Sequence, residues 1–190
     1  MTRIIAGAAG GRRIETPKGS DTRPTSERAR EALFGALESR GVLRGAVVLD
    51  LFAGSGALGL EAASRGALEV VLVDSARHAV DVARRNAAAL GLSGVRVVHA
   101  PVLRFLTAHR QDRHRPADIA LLDPPYAVGE DELVHVLRAL DAGHLAAGAV
   151  VVVERDARSP EPVWPTGWAG EGRRRYGDTA LWLATARLRG

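Results

Sequence analysis

The chain has 190 residues, of which 46% are hydrophobic and 25% charged, the composition of one ordinary globular domain with a substantial core. It contains no cysteine, which excludes disulfides and thiolate metal sites, and its six histidines show no metal-ligand spacing. No apolar run approaches the roughly 20 residues of a membrane helix, and the start lacks the apolar core of a signal peptide. We therefore expect a cytoplasmic protein without a resident metal or a membrane partner.

The start of the chain predicts a small β-hairpin. Residues 3–7 and 12–16 read as two short strands around a Gly-Ala turn, and residues 17–24 read as a loop. We treat residues 1–24 as an N-terminal hairpin extension and residues 25–190 as the main domain.

From residue 25 onward, helices alternate with apolar strands. The first helix is expected to begin at Thr25 or Ser26, either of which can cap it, and to end at Gly41. Near-continuous Val and Leu runs between helices predict a mostly parallel sheet covered on both faces. Two strand-like runs around Gly177-Asp178 predict an antiparallel hairpin at one edge. The other predicted strands are residues 46–52, 69–74, 95–100, 118–123 and 147–155, and the other predicted helices are residues 57–66, 78–91, 102–109 and 130–143.

Basic residues gather near both ends of the chain, and the formal net charge is +4. Such clusters allow for an anionic partner. Glu15 and Asp21 are the only acidic residues among the first 25 positions, and the C-terminal group directly precedes Tyr176. The two groups are Arg3, Arg12, Arg13, Lys18 and Arg23, and Arg173 to Arg175.

A glycine turn follows the first long strand. Asp50 ends that strand, and Gly54-Ser55-Gly56 can expose backbone N–H groups at the start of a helix. Asp74 ends the next strand, where its carboxylate can accept hydrogen bonds from the two hydroxyls of a ribose. This pattern indicates an adenosine-containing cofactor, either NAD or S-adenosylmethionine.

Asp50 favours S-adenosylmethionine of the two. A dinucleotide would place a pyrophosphate at this helix start, and a carboxylate entering the turn would repel it. The ammonium and sulfonium groups of S-adenosylmethionine are instead favoured by acidic neighbours.

A second unusual strand end is Asp123-Pro124-Pro125-Tyr126. It resembles the (Asn/Asp)-Pro-Pro-(Tyr/Phe) signature of methyltransferases that modify exocyclic amino groups of bases. The resemblance implies that the Asp123 carboxylate and the Pro124 carbonyl accept hydrogen bonds from the amino group, for an in-line methyl transfer. Tyr126 would stack on the extracted base.

Taken together, "RIIAGAAGGRRIETP", "TRPTSERAREALFGAL", "LDLFAGSGALGLEAASRGA" and "LLDPPY" resemble the bacterial ribosomal small-subunit methyltransferase D family. That resemblance implies a Rossmann-like class I methyltransferase fold with a seven-stranded sheet. It also implies S-adenosylmethionine-dependent methylation of a guanine N2 in 16S rRNA. The partner would be 16S rRNA or a small-subunit assembly intermediate, and we expect a monomer.

The resemblance also assigns site residues. Asp123, Pro124, Pro125 and Tyr126 would be catalytic. The residues expected at the cofactor are Arg23, Thr25, Asp50, Phe52, Ala53, Gly54, Ser55, Gly56, Asp74, Ser75, Val102 and Leu103. The N-terminal residues expected to contact RNA phosphates are Arg3, Arg12, Arg13 and Lys18.

The chain departs from the pattern of related enzymes after the third strand of the main domain. Ala100, Pro101 and Val102 stand where a polar or acidic side chain often meets adenine. Pro101 has no N–H, so adenine would rely on the Val102 backbone and on apolar contact with Val102 or Leu103. Asn86 fits either a residue that faces the cleft or a surface residue.

Several other functions remain open from the residues alone. Adenine-N6 methyltransferases share the Asp123 motif but usually carry a separate target-recognition segment. Glutamine-N5 methyltransferases carry Asn where Asp123 stands. An NAD-dependent oxidoreductase would fit the glycine spacing but lacks a candidate catalytic triad here. A catalytically silent RNA-binding module would not need both Asp74 and Asp123.

Overall fold

The computed structural model describes residues 1–17, 27–108 and 115–187. The predictions made for Lys18, Arg23, Thr25 and Ser26 lie outside these residues. No helix in the described ranges is long and apolar enough to cross a membrane. The elements are β1 Thr2–Arg3, β2 Arg13–Ile14, α1 Glu27–Ser39, β3 Val47–Leu51, α2 Ala57–Ser64, β4 Glu69–Asp74, α3 Arg77–Leu90, β5 Val95–His99, α4 Val102–Thr107, β6 Ala117–Leu122, α5 Glu130–Asp141, β7 Leu145–Asp156, β8 Ala169–Tyr176 and β9 Thr179–Thr185.

The main sheet has seven strands in the order β5-β4-β3-β6-β7-β9-β8. Strands β3 to β7 are parallel to one another, whereas β9 pairs antiparallel with both β7 and β8. The chain moves outward from β3 to β5 and then returns to the other side of β3 with β6. The strand order therefore reverses between β3 and β6, where open α/β sheets bind their ligands.

Two apolar layers cover the sheet because alternate strand residues point to opposite faces. One layer joins Leu49 and Leu51 of β3 with Phe105 of α4 and Leu137 of α5. The other layer joins the inward faces of α1, α2 and α3 with the opposite side of the same strands. These buried layers hold the carboxyl ends of the strands in fixed relative positions.

The N-terminal β-hairpin is confirmed, with strands shorter than the predicted residues 3–7 and 12–16, and it packs on the second layer. Ile4, Ala9 and Ile14 are all almost fully buried in that layer. The backbone N–H groups of Ile5 and Ala6 donate to the buried Glu61 carboxylate of α2, at 2.7 and 3.0 Å. The hairpin is therefore part of the same packed body as the sheet.

The close approach of this segment to α2 requires glycine at position 7. Gly7 has φ +83°, and a Cβ there would lie 2.0 Å from the Ser64 carbonyl oxygen. The neighbouring Ala8 N–H donates to that same oxygen at 2.7 Å. Any side chain at position 7 would push the hairpin off the helix.

Candidate active site

The glycine turn after β3 adopts a strained backbone. Phe52 has φ 64°, a left-handed conformation that bulky residues rarely adopt, and Gly56 has φ 80° at the N-cap of α2. Strain of this kind is often kept where a site must be held in one shape. Gly59 packs one turn later, and a Cβ there would lie 2.2 Å from a methyl group of Leu72. The turn is thus fixed between β3, β4 and α2.

Asp74 closes the turn from the neighbouring strand. Its carboxylate accepts the Gly54 N–H and the Ala76 N–H, both at 2.8 Å. The side chain is only partly buried, and each carboxylate oxygen keeps a second lone pair for a ligand. Ser75 follows as an exposed residue, and its carbonyl contacts His99. Asp74 is therefore oriented and accessible, as a carboxylate that accepts ligand hydroxyls must be.

Asp50 is a buried carboxyl beneath the turn. It is 1% exposed, and its Oδ2 accepts the Gly59 N–H at 2.8 Å. Among the residues that the structure describes, none donates a hydrogen bond to its Oδ1. Burial raises the pKa of Asp50 to about 7, and the negative charge of Asp74 adds to this rise. An acceptor left unpaired in this way suits a cationic ligand that enters the turn.

Asn86 links the turn to the N-terminal hairpin. It is 3% exposed, so it is neither a surface residue nor open to the cleft. Its amide nitrogen donates to the carbonyls of Ser55 and Glu15, and its oxygen accepts the Glu15 N–H, each at 2.9 Å. The sequence alone does not fix the place of Asn86, because contacts to backbone groups of distant residues leave no local pattern.

The segment after β5 offers an apolar contact. Val102 is 4% exposed and belongs to the core, whereas Leu103 is 37% exposed. Pro101 occupies the N-cap of α4. Of the apolar contacts expected for adenine, the exposed Leu103 side chain is the one accessible to a ligand.

The Asp123 motif emerges directly beside the glycine turn. Leu51 pairs with Leu122 across β3 and β6, and the Asp123 N–H reaches the Leu51 carbonyl at 3.4 Å. The Pro125 carbonyl accepts the Val128 N–H at 2.9 Å, which closes a tight turn around Tyr126. Tyr126 is 66% exposed. The two sites predicted from separate parts of the sequence therefore lie together.

A pocket of about 120 Å³ opens against this motif. One wall comes from the end of β7 and another from the turn between β8 and β9. Neither wall was expected at the site, because position in the sheet, not any local motif, brings them there. The lining residues are Asp123, Pro124, Pro125, Tyr126, Glu154, Arg155, Asp156, Ser159, Asp178 and Thr179.

Charged pairs hold the β7 wall in place. Arg155 donates to the Val128 carbonyl at 2.9 Å and to Glu130 at 2.5 Å, which ties β7 to the start of α5. Asp156 accepts hydrogen bonds from the side chain and the backbone of Arg158, which lower its pKa to about 2. The Arg158 side chain is 90% exposed.

The N-terminal basic residues have different surroundings. Arg12 donates to the carbonyls of Ala89 and Leu90, the last residues of α3, and so caps that helix. Arg3 forms an exposed ion pair with Glu27 at 3.0 Å. Arg13 is exposed on β2.

Comparisons with known proteins agree with this architecture. The model of the family described as conserved hypothetical protein 95 matches residues 2–185. The chain is 37% identical over 168 residues to the ribosomal RNA small subunit methyltransferase D of Escherichia coli strain K12, covering 88% of this chain and 81% of that one. The protein of the same name from Haemophilus influenzae is 31% identical over 170 residues, covering 87% and 84%.

Solved structures extend the likeness to the fold. The Escherichia coli protein yhhF superposes with a TM-score of 0.85 at 33% identity, covering 99% of both chains. A hypothetical protein of Thermus thermophilus superposes with a TM-score of 0.81 at 35% identity, covering 99% of this chain and 100% of that one.

Proposed function

The chain belongs to the conserved hypothetical protein 95 family and to the ribosomal RNA small subunit methyltransferase D family, and on that premise we propose that it methylates the exocyclic N2 of a guanine in 16S rRNA. The methyl donor in this proposal is S-adenosylmethionine. The relatives' names support the methylation of small-subunit rRNA. The choice of guanine N2 rests on the family resemblance and on the acceptor groups at Asp123 and Pro124.

One observation carries the proposal. The glycine turn and the Asp123 motif leave adjacent strands at paired residues, Leu51 and Leu122, where the strand order reverses. A donor held by the turn and an amino group held by the motif would therefore be neighbours. Methyl transfer needs this proximity, because positioning the two reactants removes much of the entropic barrier.

The residues around the turn suit the donor. S-adenosylmethionine, when bound, supplies a methyl group activated by a positively charged sulfur. Asp74, oriented by two backbone N–H groups, would accept the ribose hydroxyls. Asp50, with its unpaired Oδ1, would face the positive charge. Leu103 would contact the adenine ring. Arg23 and Thr25 are proposed to border the same pocket on the resemblance alone.

Asp123 and Pro124 would hold the acceptor. The carboxylate and the carbonyl would each accept one N–H of the amino group, which directs the nitrogen lone pair at the methyl carbon. A new N–C bond would form as the S–C bond of the donor breaks, and the amino group would release one proton, which we assign to the Asp123 carboxylate. Tyr126, exposed at the pocket rim, would stack on the extracted base.

Removing the Asp123 carboxylate tests the proposed chemistry. We expect Asp123→Ala to abolish methyl transfer while the affinity for S-adenosylmethionine changes less than about threefold, because the carboxylate acts on the base. The measurement uses labelled S-adenosylmethionine, undermethylated small ribosomal subunits, and identification of the labelled nucleoside by mass. Glu132→Ala, which removes another exposed carboxylate from the start of α5, serves as the control and should stay active.

The labelled nucleoside decides between the alternatives. N2-methylguanosine would support the proposal, whereas N6-methyladenosine would support methyl transfer by this site but refute guanine as its target base. No label on subunits or on naked rRNA would refute the function. A large loss of cofactor affinity in Asp123→Ala would contradict the role given to that residue.

A further inference from the structure

The edge strand β8 carries the second basic group of the sequence, Arg173 to Arg175, which the proposed chemistry does not use. β8 is exposed along nearly all of its length. It runs parallel to β7, because each pairs antiparallel with β9. The end of β8 at Tyr176 therefore lies at the same edge of the sheet as the pocket, whose wall includes the following residues Asp178 and Thr179.

Two acidic side chains near β8 are already paired with other arginines. Glu171 is bound by Arg40, the residue after α1, at 2.5 Å, and Asp156 is bound by Arg158. The positive charges of β8 are thus only weakly offset by these acids. Such a surface attracts anions.

The arginines of β8 keep most of their hydrogen-bonding groups. Arg173 lies over the Trp182 ring and donates to the Ala157 carbonyl. Arg175 donates its Nε–H to the Gly177 carbonyl at 2.9 Å, which uses one of the five N–H groups of a guanidinium. Arg174 points to the other face of the sheet from Arg173 and Arg175, because successive residues of a strand alternate between the two faces. A guanidinium matches the geometry of a phosphate and can bind it through two N–H groups.

We propose that Arg174 and Arg175 bind phosphates of the RNA strand beside the target nucleotide. This inference rests on the proposed function. An RNA strand whose base enters the pocket must leave past the pocket rim. In the sheet, β8 lies on one side of the pocket, and β3 and β4 lie on the other side, where α2 and the N-terminal hairpin pack. RNA would then be held on both sides of the extracted base.

The salt dependence of RNA binding tests this inference. Each phosphate contact adds about 0.7 to the slope of log affinity against log salt for a single strand. We therefore expect Arg174→Gln/Arg175→Gln to lower the slope by about 1.4 and to weaken binding at 0.1 M salt on the order of tenfold. The probe is an unmodified transcript of 16S rRNA, and the affinity for S-adenosylmethionine should not change.

Two control variants separate charge from structure. Arg174→Lys/Arg175→Lys keeps both charges and should retain the wild-type slope. Arg44→Gln/Arg138→Gln removes the same charge from two exposed positions, one before β3 and one in the last turn of α5. Both positions lie at the amino ends of the parallel strands, away from the pocket, so this variant should also leave the slope unchanged. Thermal unfolding of each variant shows whether the fold is intact.

The outcomes distinguish this inference from the proposed function. A wild-type slope in the Gln variant, while the wild-type protein methylates rRNA, would remove β8 from the RNA surface and leave the function standing. In that case the charges would serve only to keep the exposed edge from pairing with another chain. A lowered slope with no methyl transfer by the wild-type protein would refute the proposed function but support RNA binding by β8.

Discussion

The buried Asp50 should make both stability and cofactor binding depend on pH. Its pKa is about 7 in the folded chain, against 3.8 for an ordinary aspartate. Between about pH 4 and pH 7, the folded chain holds a proton that the unfolded chain has released. The stability of the cofactor-free protein should therefore fall as the pH rises through this window and level off above it.

The ionised form of Asp50 would attract the positive charge of S-adenosylmethionine. We expect the affinity for S-adenosylmethionine to increase as the pH rises through about 7 and Asp50→Asn to flatten this dependence. Calorimetric titrations between about pH 5 and pH 9 measure the effect directly. The same pH profile in the wild-type protein and in Asp50→Asn would show that Asp50 does not face the cofactor charge.

Asn86 should position the glycine turn. Asn86→Ala leaves the Ser55 carbonyl and two backbone groups of Glu15 without their partner, which we expect to cost roughly 2–4 kcal/mol of stability. The KM for S-adenosylmethionine should rise about tenfold, because the turn loses its support, while kcat at saturation changes little.

The control for Asn86 is Leu90→Ala, a core substitution one turn later in the same helix that removes no hydrogen bond of the glycine turn. It should cost a similar 2–5 kcal/mol without changing the KM. Equal KM values in the two variants would reduce Asn86 to a purely structural residue.

At the scale of elements, we expect the basic residues of the N-terminal hairpin to have two different roles, Arg12 in stability and Arg13 in RNA binding. Arg12 caps α3, so Arg12→Glu should lower the stability of the fold by about 1 kcal/mol or more. Arg13 is exposed on β2, so Arg13→Glu should leave the stability nearly unchanged and lower the salt slope of RNA binding. Thermal unfolding and filter binding at several salt concentrations measure the two effects. If neither variant lowers the slope, the hairpin lies outside the RNA-binding surface.

For the whole molecule, we expect the hairpin and the main domain to unfold together. Ile14 is 2% exposed in the layer that α1, α2 and α3 share, so Ile14→Ala should cost about 2–5 kcal/mol. All three tryptophans lie beyond residue 160, far from Ile14 in the chain. Their fluorescence and the circular dichroism should nevertheless shift to the same lower denaturant midpoint.

The exposed Val163 provides the control for that experiment. Val163→Ala, at a position 63% exposed, should leave the midpoint nearly unchanged. An unchanged tryptophan transition in Ile14→Ala would instead show that the hairpin unfolds separately from the main domain.

Local patterns determined much of this protein. The alternation of apolar runs and helical periodicities predicted the strands of the sheet, the edge hairpin around Gly177-Asp178 and the β1–β2 hairpin, because each is encoded by neighbouring residues. The glycine turn and Asp123-Pro124-Pro125-Tyr126 also marked the two halves of the candidate site, because turn and strand-end chemistry is local.

Only the tertiary structure decided what surrounds those motifs. The placement of β9 between β7 and β8 brings Asp178 and Thr179 to the pocket. The contacts of Asn86 with Glu15 and the capping of α3 by Arg12 join residues more than 70 positions apart. Such contacts depend on how separate elements pack, and burial and pairing between distant segments leave no periodicity in the sequence.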